Sequence, residues 1–142
     1  ILSTPLQVNN MTSVIASRGK LSKPHLVSQV ARDGSGKIEV KSAGGKKVID
    51  EKIIAIVAEG MRQACETGGT GWPFFNASYK VGCKTGTAER TQGNPHAWFT
   101  AFAPFDDPQI SVTVIVENGG EGSTVAGPVA RSFLDWWFQR GE

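Results

Sequence analysis

Lys84-Thr85-Gly86-Thr87 places one ammonium and two hydroxyls within four residues, with a glycine between the hydroxyls. The residues ahead of it, Tyr79-Lys80-Val81-Gly82-Cys83, alternate as a strand does. A strand of this kind suits two tasks of acyl transfer, stabilising a developing oxyanion and holding a peptide beside a nucleophile. A peptide laid antiparallel along an exposed edge gains main-chain hydrogen bonds, and Gly82 and Gly86 leave one face clear for its approach. Strict alternation puts Lys84 and Gly86 on one face and Thr85 and Thr87 on the other. Both sets reach one cleft only where the strand lies at its rim and twists. The same residues also describe a plain edge strand whose lysine and threonines meet solvent.

A nucleophile to go with this strand is harder to find. Ser17-Arg18-Gly19-Lys20 has the Ser-x-x-Lys spacing that lets a lysine amine serve as base to a serine. That chemistry needs both residues one turn apart at the start of a rigid helix, whereas this string lies where a helix is ending and has a helix-breaking glycine inside it. It reads as a decoy. His25 and His96 are the only histidines, and neither belongs to a metal-ligand cluster or a Ser/His/Asp arrangement. His96 reads as a strand-start residue on the surface. Cys65 and Cys83 permit one disulfide, but packed thiols are common, and a packed thiol is the expectation for Cys83. Trp72, Pro73, Phe74 and Phe75 could edge a substrate groove, though aromatic loop anchors more often serve packing.

The elements that must position the strand are legible from caps and periodicity. Thr4, Pro5 and Gln7 form a capping-box pattern, so a helix starts there, with Val8, Met11 and Ile15 as its apolar stripe and Gly19 at its end. Leu26 to Val30 and Ile38 to Val40 flank Arg32-Asp33-Gly34-Ser35-Gly36 as a hairpin with a glycine turn. Asp50 caps a second helix in which Ile53, Ile54, Val57, Met61 and Ala64 repeat at helical spacing up to Gly68-Gly69. Strands follow at about Tyr79 to Ala88, His96 to Ala103 and Ile110 to Glu117. Ser123 or Thr124 then caps a closing helix with Val129, Phe133, Trp136 and Trp137 on its apolar side. Three antiparallel strands flanked by helices make an α+β domain, a three-layer α/β/α arrangement.

Composition narrows the function further. The 142 residues are 39% hydrophobic and 20% charged, enough for one compact domain. A net charge of +2 from dispersed basic residues offers no nucleic-acid stripe and no polybasic membrane contact. The longest apolar run, Ile53 to Ala58, is far shorter than a bilayer span, so any membrane anchor is expected outside this segment.

Lys-Thr-Gly on a strand is also one of three signatures of the penicillin-interacting serine acyl-transferases. His96-Ala97-Trp98-Phe99-Thr100-Ala101-Phe102-Ala103-Pro104, followed by Ile110 to Glu117, resembles the hairpin after that motif in class B penicillin-binding proteins. Those are the monofunctional peptidoglycan D,D-transpeptidases. Thr4-Pro5-Leu6-Gln7, Gly19-Lys20-Leu21 and Lys23-Pro24-His25-Leu26-Val27 resemble the segment leading into it, so nearly the whole chain is covered.

The resemblance implies a penicillin-binding/β-lactamase-like fold in which residues 1–142 are the C-terminal portion of a transpeptidase domain. The N-terminal portion, with the Ser-x-x-Lys nucleophile and a Ser-x-Asn motif, is then absent; no Ser-x-Asn string occurs, and Ile1 in place of Met fits a chain cut from a longer one. The full domain would acylate its serine with a stem peptide ending in D-Ala-D-Ala, release the terminal D-Ala, and pass the acyl group to an amine of a neighbouring stem. Lys84 would be catalytic through its charge. Thr85, Gly86 and Thr87 would bind substrate, the two hydroxyls taking its terminal carboxylate and the Thr87 N–H completing the oxyanion hole. No metal or organic cofactor is implied.

The partners implied are peptidoglycan stem peptides, β-lactam antibiotics and the N-terminal part of the same domain. Neither nucleic acid nor the membrane itself is a partner of this segment. The setting implied is the bacterial cell envelope, on the extracytoplasmic face of the cytoplasmic membrane, in cell-wall and cell-shape work. The isolated chain would be inactive. A serine β-lactamase or β-lactam sensor domain shares the fold and the Lys-Thr-Gly strand, but the long hairpin from Ala88 to Ala103 with Trp98-Phe99 looks like the transpeptidases. The remaining alternative is a non-catalytic α+β module that binds a peptide along the exposed strand.

Overall fold

The computed structural model describes residues 2–26, 29–31, 38–40 and 45–140, the two short middle stretches as paired backbone. Helix α1, Pro5–Ala16, opens with the expected capping box: the Gln7 N–H donates to the Thr4 hydroxyl while the Gln7 side chain accepts from the Thr4 N–H. It ends as Arg18 and Gly19 turn into the left-handed region, at φ 58° and 89°. A two-residue strand β1, Lys20–Leu21, follows, then β2, Gln29–Ala31, paired antiparallel with β3, Ile38–Val40. The glycine turn expected between them lies outside the described residues. Strand β4, Lys46–Lys47, returns to β1, a pairing that periodicity did not reveal.

Helix α2, Glu51–Ala64, starts at Asp50, whose carboxylate accepts from the Lys52 N–H. Strands β5, Gly82–Ala88, β6, His96–Ala103, and β7, Ile110–Val116, form one antiparallel sheet in the order β5-β6-β7. Helix α3, Gly127–Gln139, closes the chain. One sheet face carries α1 and α2 and the other carries α3, which is the expected three-layer α/β/α arrangement.

The α3 face holds the main core. Phe99, Ala97, Ala101 and Cys83 point into it from β5 and β6, and Ala130 and Leu134 meet them from α3, all fully or almost fully buried. The inward residues of α3 are Gly127, Ala130 and Leu134 rather than the expected aromatic stripe. Val129, Phe133, Trp136 and Trp137 keep between 36% and 52% of their surface exposed. Small residues win this face because Gly127 sits against the Phe99 ring, where a Cβ would lie 3.3 Å from two ring carbons and 2.9 Å from Pro73. The close approach of helix to sheet leaves no room for indole.

On the other face, α1 is held by hydroxyls as well as by apolar contact. Thr12, fully buried, shares a hydrogen bond of 2.7 Å with Thr100, which shares another of 2.7 Å with Thr113. Ser13 meets Ser111 at 2.9 Å, and Thr113 donates to Asn9 Oδ1 at 3.3 Å. This polar seam is fully paired, so its burial carries no orphan penalty. It turns Asn9, Thr12 and Ser13 to the sheet, and leaves Met11 of the expected stripe 56% exposed.

Cys65, the C-cap of α2, is bonded to Cys83 in β5, with Cα atoms 5.7 Å apart. The expectation of a packed free thiol at Cys83 is thereby corrected. Alternation placed this side chain off the Lys84 face, where the end of α2 delivers a second sulfur to it.

Candidate active-site strand

Strand β5 is the edge of its sheet among the described residues, and seven of its positions pair with β6, from Gly82 opposite Phe102 to Ala88 opposite His96. It begins three residues later than periodicity implied. Tyr79 leaves the strand direction because its phenol donates to Asp135 at 2.7 Å and its ring lies on Phe138, centroids 4.7 Å apart. Burial and the Asp135 carboxylate push that phenol well above its usual range, so it stays protonated as a donor.

Lys84 and Gly86 face the α1/α2 side and Thr85 faces the disulfide side, as alternation requires. Even so, Lys84, Thr85 and Gly86 all line one open groove of about 440 Å³. Its far walls are Val8, Met11 and Ile15 of α1 with Val57 and Met61 of α2, and Trp98, Phe99 and Thr100 of β6 form its floor. The apolar stripes that sequence assigned to the helix cores therefore meet across a groove. Thr87, exposed, lies beyond it.

Gly86 keeps the floor open, since a Cβ there would stand 3.2 Å from that of Trp98. Behind the strand, Gly122 comes so near that its Cβ would lie 2.4 Å from the Gly86 carbonyl oxygen and 2.2 Å from that of Trp98. This contact explains a second departure from expectation. The closing helical segment begins with a π-type turn, Gly122–Ala126, so Glu121 rather than Ser123 or Thr124 stands at the N-cap position, and its side chain caps no backbone N–H. Both hydroxyls instead donate to the Glu121 carboxylate, at 2.9 and 3.2 Å.

Among the described residues, Lys84 is the only charged one lining the groove. Its ammonium donates one hydrogen bond, to the Thr85 carbonyl at 2.6 Å, and no ion pair engages it among the described residues. An unneutralised cation beside apolar walls attracts an anion more strongly than one surrounded by water. The Thr85 hydroxyl donates to Thr70 at 3.0 Å. Thr70, from the loop after α2, was not singled out in the sequence; its closeness to Thr85 arises only from folding.

Other candidates fall away from the groove. The Ser17 hydroxyl donates to the Lys20 carbonyl at 2.7 Å and to Val14 at 3.3 Å, closing the helix end and engaging the lysine's backbone rather than its amine. His96 accepts from the Asn118 N–H at 3.1 Å, and Arg90 donates to the Asn118 side chain, so these residues tie the hairpin ends together. Phe74 is buried on Phe99, centroids 5.6 Å apart, while Trp72 and Phe75 remain partly exposed. No group of three or more metal-ligating side chains occurs among the described residues, nor any helix long and apolar enough to cross a membrane.

Residues 1–135 match the model of the penicillin binding protein transpeptidase domain. The chain is 34% identical to the peptidoglycan D,D-transpeptidase MrdA of Haemophilus influenzae, over 97% of this chain and 24% of that protein. Among solved structures it is similar to Pseudomonas aeruginosa PBP2 in complex with WCK 5153, at 34% identity and a TM-score of 0.78, covering 95% of this chain and 29% of that one. It is also similar to the imipenem acyl-enzyme complex of penicillin-binding protein A from M. tuberculosis, at 26% identity and a TM-score of 0.71, covering 94% and 30%. It thus spans about a quarter of the length of the curated relative. The match of residues 1–135, most of the chain, shows that the chain belongs to the penicillin-binding protein transpeptidase domain family.

Proposed function

We propose that residues 1–142 form the C-terminal portion of a peptidoglycan D,D-transpeptidase domain and supply one wall of its active site. The observation that carries this reading is the edge strand with Lys84, Thr85 and Gly86 at an apolar groove, in a chain whose residues 1–135 match the family. In the complete enzyme a serine on another segment attacks the penultimate D-Ala carbonyl, and the terminal D-Ala leaves with a proton. The acyl group then passes to an amine of a neighbouring stem peptide. Lys84 contributes fixed positive charge, Thr85 and Thr87 hold the substrate carboxylate, and the Thr87 N–H faces the developing oxyanion. β-Lactams enter the same site and acylate the same serine.

The disulfide supports the location proposed, the extracytoplasmic face of the bacterial cytoplasmic membrane, because such bonds persist in oxidising compartments.

Two outcomes test the proposal. The 142-residue polypeptide treated with a fluorescent penicillin is expected to show no covalent adduct by intact mass, because the Ser17 hydroxyl is engaged with backbone carbonyls and has no amine base; the complete parent is expected to carry one adduct. A stoichiometric adduct on Ser17 would overturn the assignment. In the parent, Thr85→Val and Thr87→Val are each expected to slow acylation by about 10- to 100-fold, the worth of one charge-assisted hydrogen bond. Their melting temperatures should stay near the parent value, and parent-like acylation by both would leave the strand a structural role only.

A further inference from the structure

Thr70 stands in a loop that is fastened with unusual closeness to β5. The Gly69 N–H donates to the Glu66 carbonyl at 2.8 Å and the Gly71 N–H to the Ala64 carbonyl at 2.7 Å. Neither flanking glycine tolerates a side chain. A Cβ on Gly69 would meet the Ala64 and Gln63 oxygens at 2.3 and 2.5 Å, and one on Gly71 would meet the Cys83 sulfur at 2.5 Å. The loop is thus folded over the Cys65–Cys83 bond, and Cys83 precedes Thr85 by two residues on the same strand face. Thr70, the one residue between those glycines, projects its hydroxyl to 3.0 Å from that of Thr85.

A lone hydroxyl on an exposed edge gains little from one protein partner, since water serves as well. What a fixed partner adds is direction. Thr85 donates to Thr70. When Thr85 turns its proton to a carboxylate, its oxygen is left with lone pairs on the Thr70 side. The Thr70 hydroxyl, rotating about its own C–O bond, can then donate to that oxygen. The two O–H groups point the same way, toward the anion, and each polarises the next.

We infer that Thr70 is a positioning residue that orients the Thr85 hydroxyl toward a carboxylate-bearing acyl donor in the groove beside Lys84. This rests on the reading of Thr85 as a carboxylate ligand. Thr70 itself does not touch the substrate and acts through Thr85.

The test uses the complete parent enzyme and benzylpenicillin, with its methyl ester as a probe lacking the carboxylate. Second-order acylation rates and thermal unfolding are measured for Thr70→Val, Thr70→Ser, Thr85→Val and the Thr70→Val/Thr85→Val double variant. Thr70→Val is expected to acylate about 3- to 10-fold more slowly, the range of one neutral hydrogen bond. Thr70→Ser, which keeps the hydroxyl, is expected to restore most of the rate. In the Thr85→Val background, Thr70→Val should add nothing, and with the ester it should make no difference.

Additive losses in the double variant, or an equal loss with the ester, would overturn the inference by making Thr70 independent of Thr85 and of the carboxylate. A slow Thr85→Val beside a parent-like Thr70→Val would overturn it while leaving the Thr85 reading intact. Parent-like rates for both would remove both readings. Should valine disturb the loop and lower the melting temperature, Thr70→Ala is read in the same cycle, so the comparison with the double variant still decides.

Discussion

Lys84→Ala in the complete enzyme is expected to slow β-lactam acylation by about 10²- to 10³-fold, while the unfolding midpoint stays within the range of an ordinary surface substitution. Lys84 is exposed, takes part in no ion pair among the described residues, and lends only one hydrogen bond to the neighbouring carbonyl. A lysine in that state contributes almost nothing to folding. Among the described residues the same ammonium is the single charge on a groove walled mostly by methionine, valine, isoleucine and aromatic residues, with Thr85 and Thr100 beside it. A fixed cation aimed at a developing negative charge in such a site is worth about 2.7 to 4 kcal/mol, by analogy with loss of an oxyanion-hole donor. Lys84→Arg is expected to recover part of the rate, since it keeps the charge but presents a planar fork in place of a compact ammonium. The check is the second-order acylation rate of both variants beside thermal unfolding. A folded Lys84→Ala enzyme that acylates at the parent rate would remove the central residue of the proposed site.

The strand and its lysine were legible in the sequence because their signal is local: alternation, two glycines and a short motif. The capping box at Thr4 was legible for the same reason, as Gln7 lies one turn from its partner. What remained hidden depended on choices between faces. Helix α3 carries apolar residues on two sides, and periodicity selects the larger ones. The backbone contact at Gly127 selects Ala130 and Leu134 instead. In α1, the Val8, Met11 and Ile15 stripe is real, but it lines the groove, because a threonine and serine seam holds the adjacent face to the sheet. Hydroxyl pairs such as Thr12 with Thr100, or Thr70 with Thr85, bring together common residues far apart in the chain, and no spacing rule announces them. Ser123 and Thr124 are strong cap formers, so cap preference puts the start of the closing helix on them. The helical turn instead starts earlier, at Gly122, which meets the backbone behind Gly86, and both hydroxyls turn back to the Glu121 carboxylate.

Removing the Cys65–Cys83 bond by a double change to alanine is expected to lower the stability of the domain by about 2 to 4 kcal/mol. The bond closes a loop with a sequence separation of 18, and chain entropy alone assigns such a loop about 3 kcal/mol in the unfolded state. Both residues are buried, Cys83 completely, so truncation also removes packing around the sulfurs, where Gly71 makes its close approach. The effect on the groove should be smaller than the effect on stability. Strand β5 keeps its seven pairings with β6, and Gly122 still supports it from behind. The loop that carries Thr70, by contrast, loses the surface on which it is folded. Acylation by the folded double variant is therefore expected to fall about as far as in Thr70→Val, a few-fold, and far less than in Lys84→Ala. Denaturant unfolding of the parent and the double variant measures the first effect, and acylation below the unfolding transition measures the second. Unchanged stability, or alkylation of both Cys65 and Cys83 in the unreduced unfolded parent located by peptide mass, would show that the bond does not hold α2 to the strand.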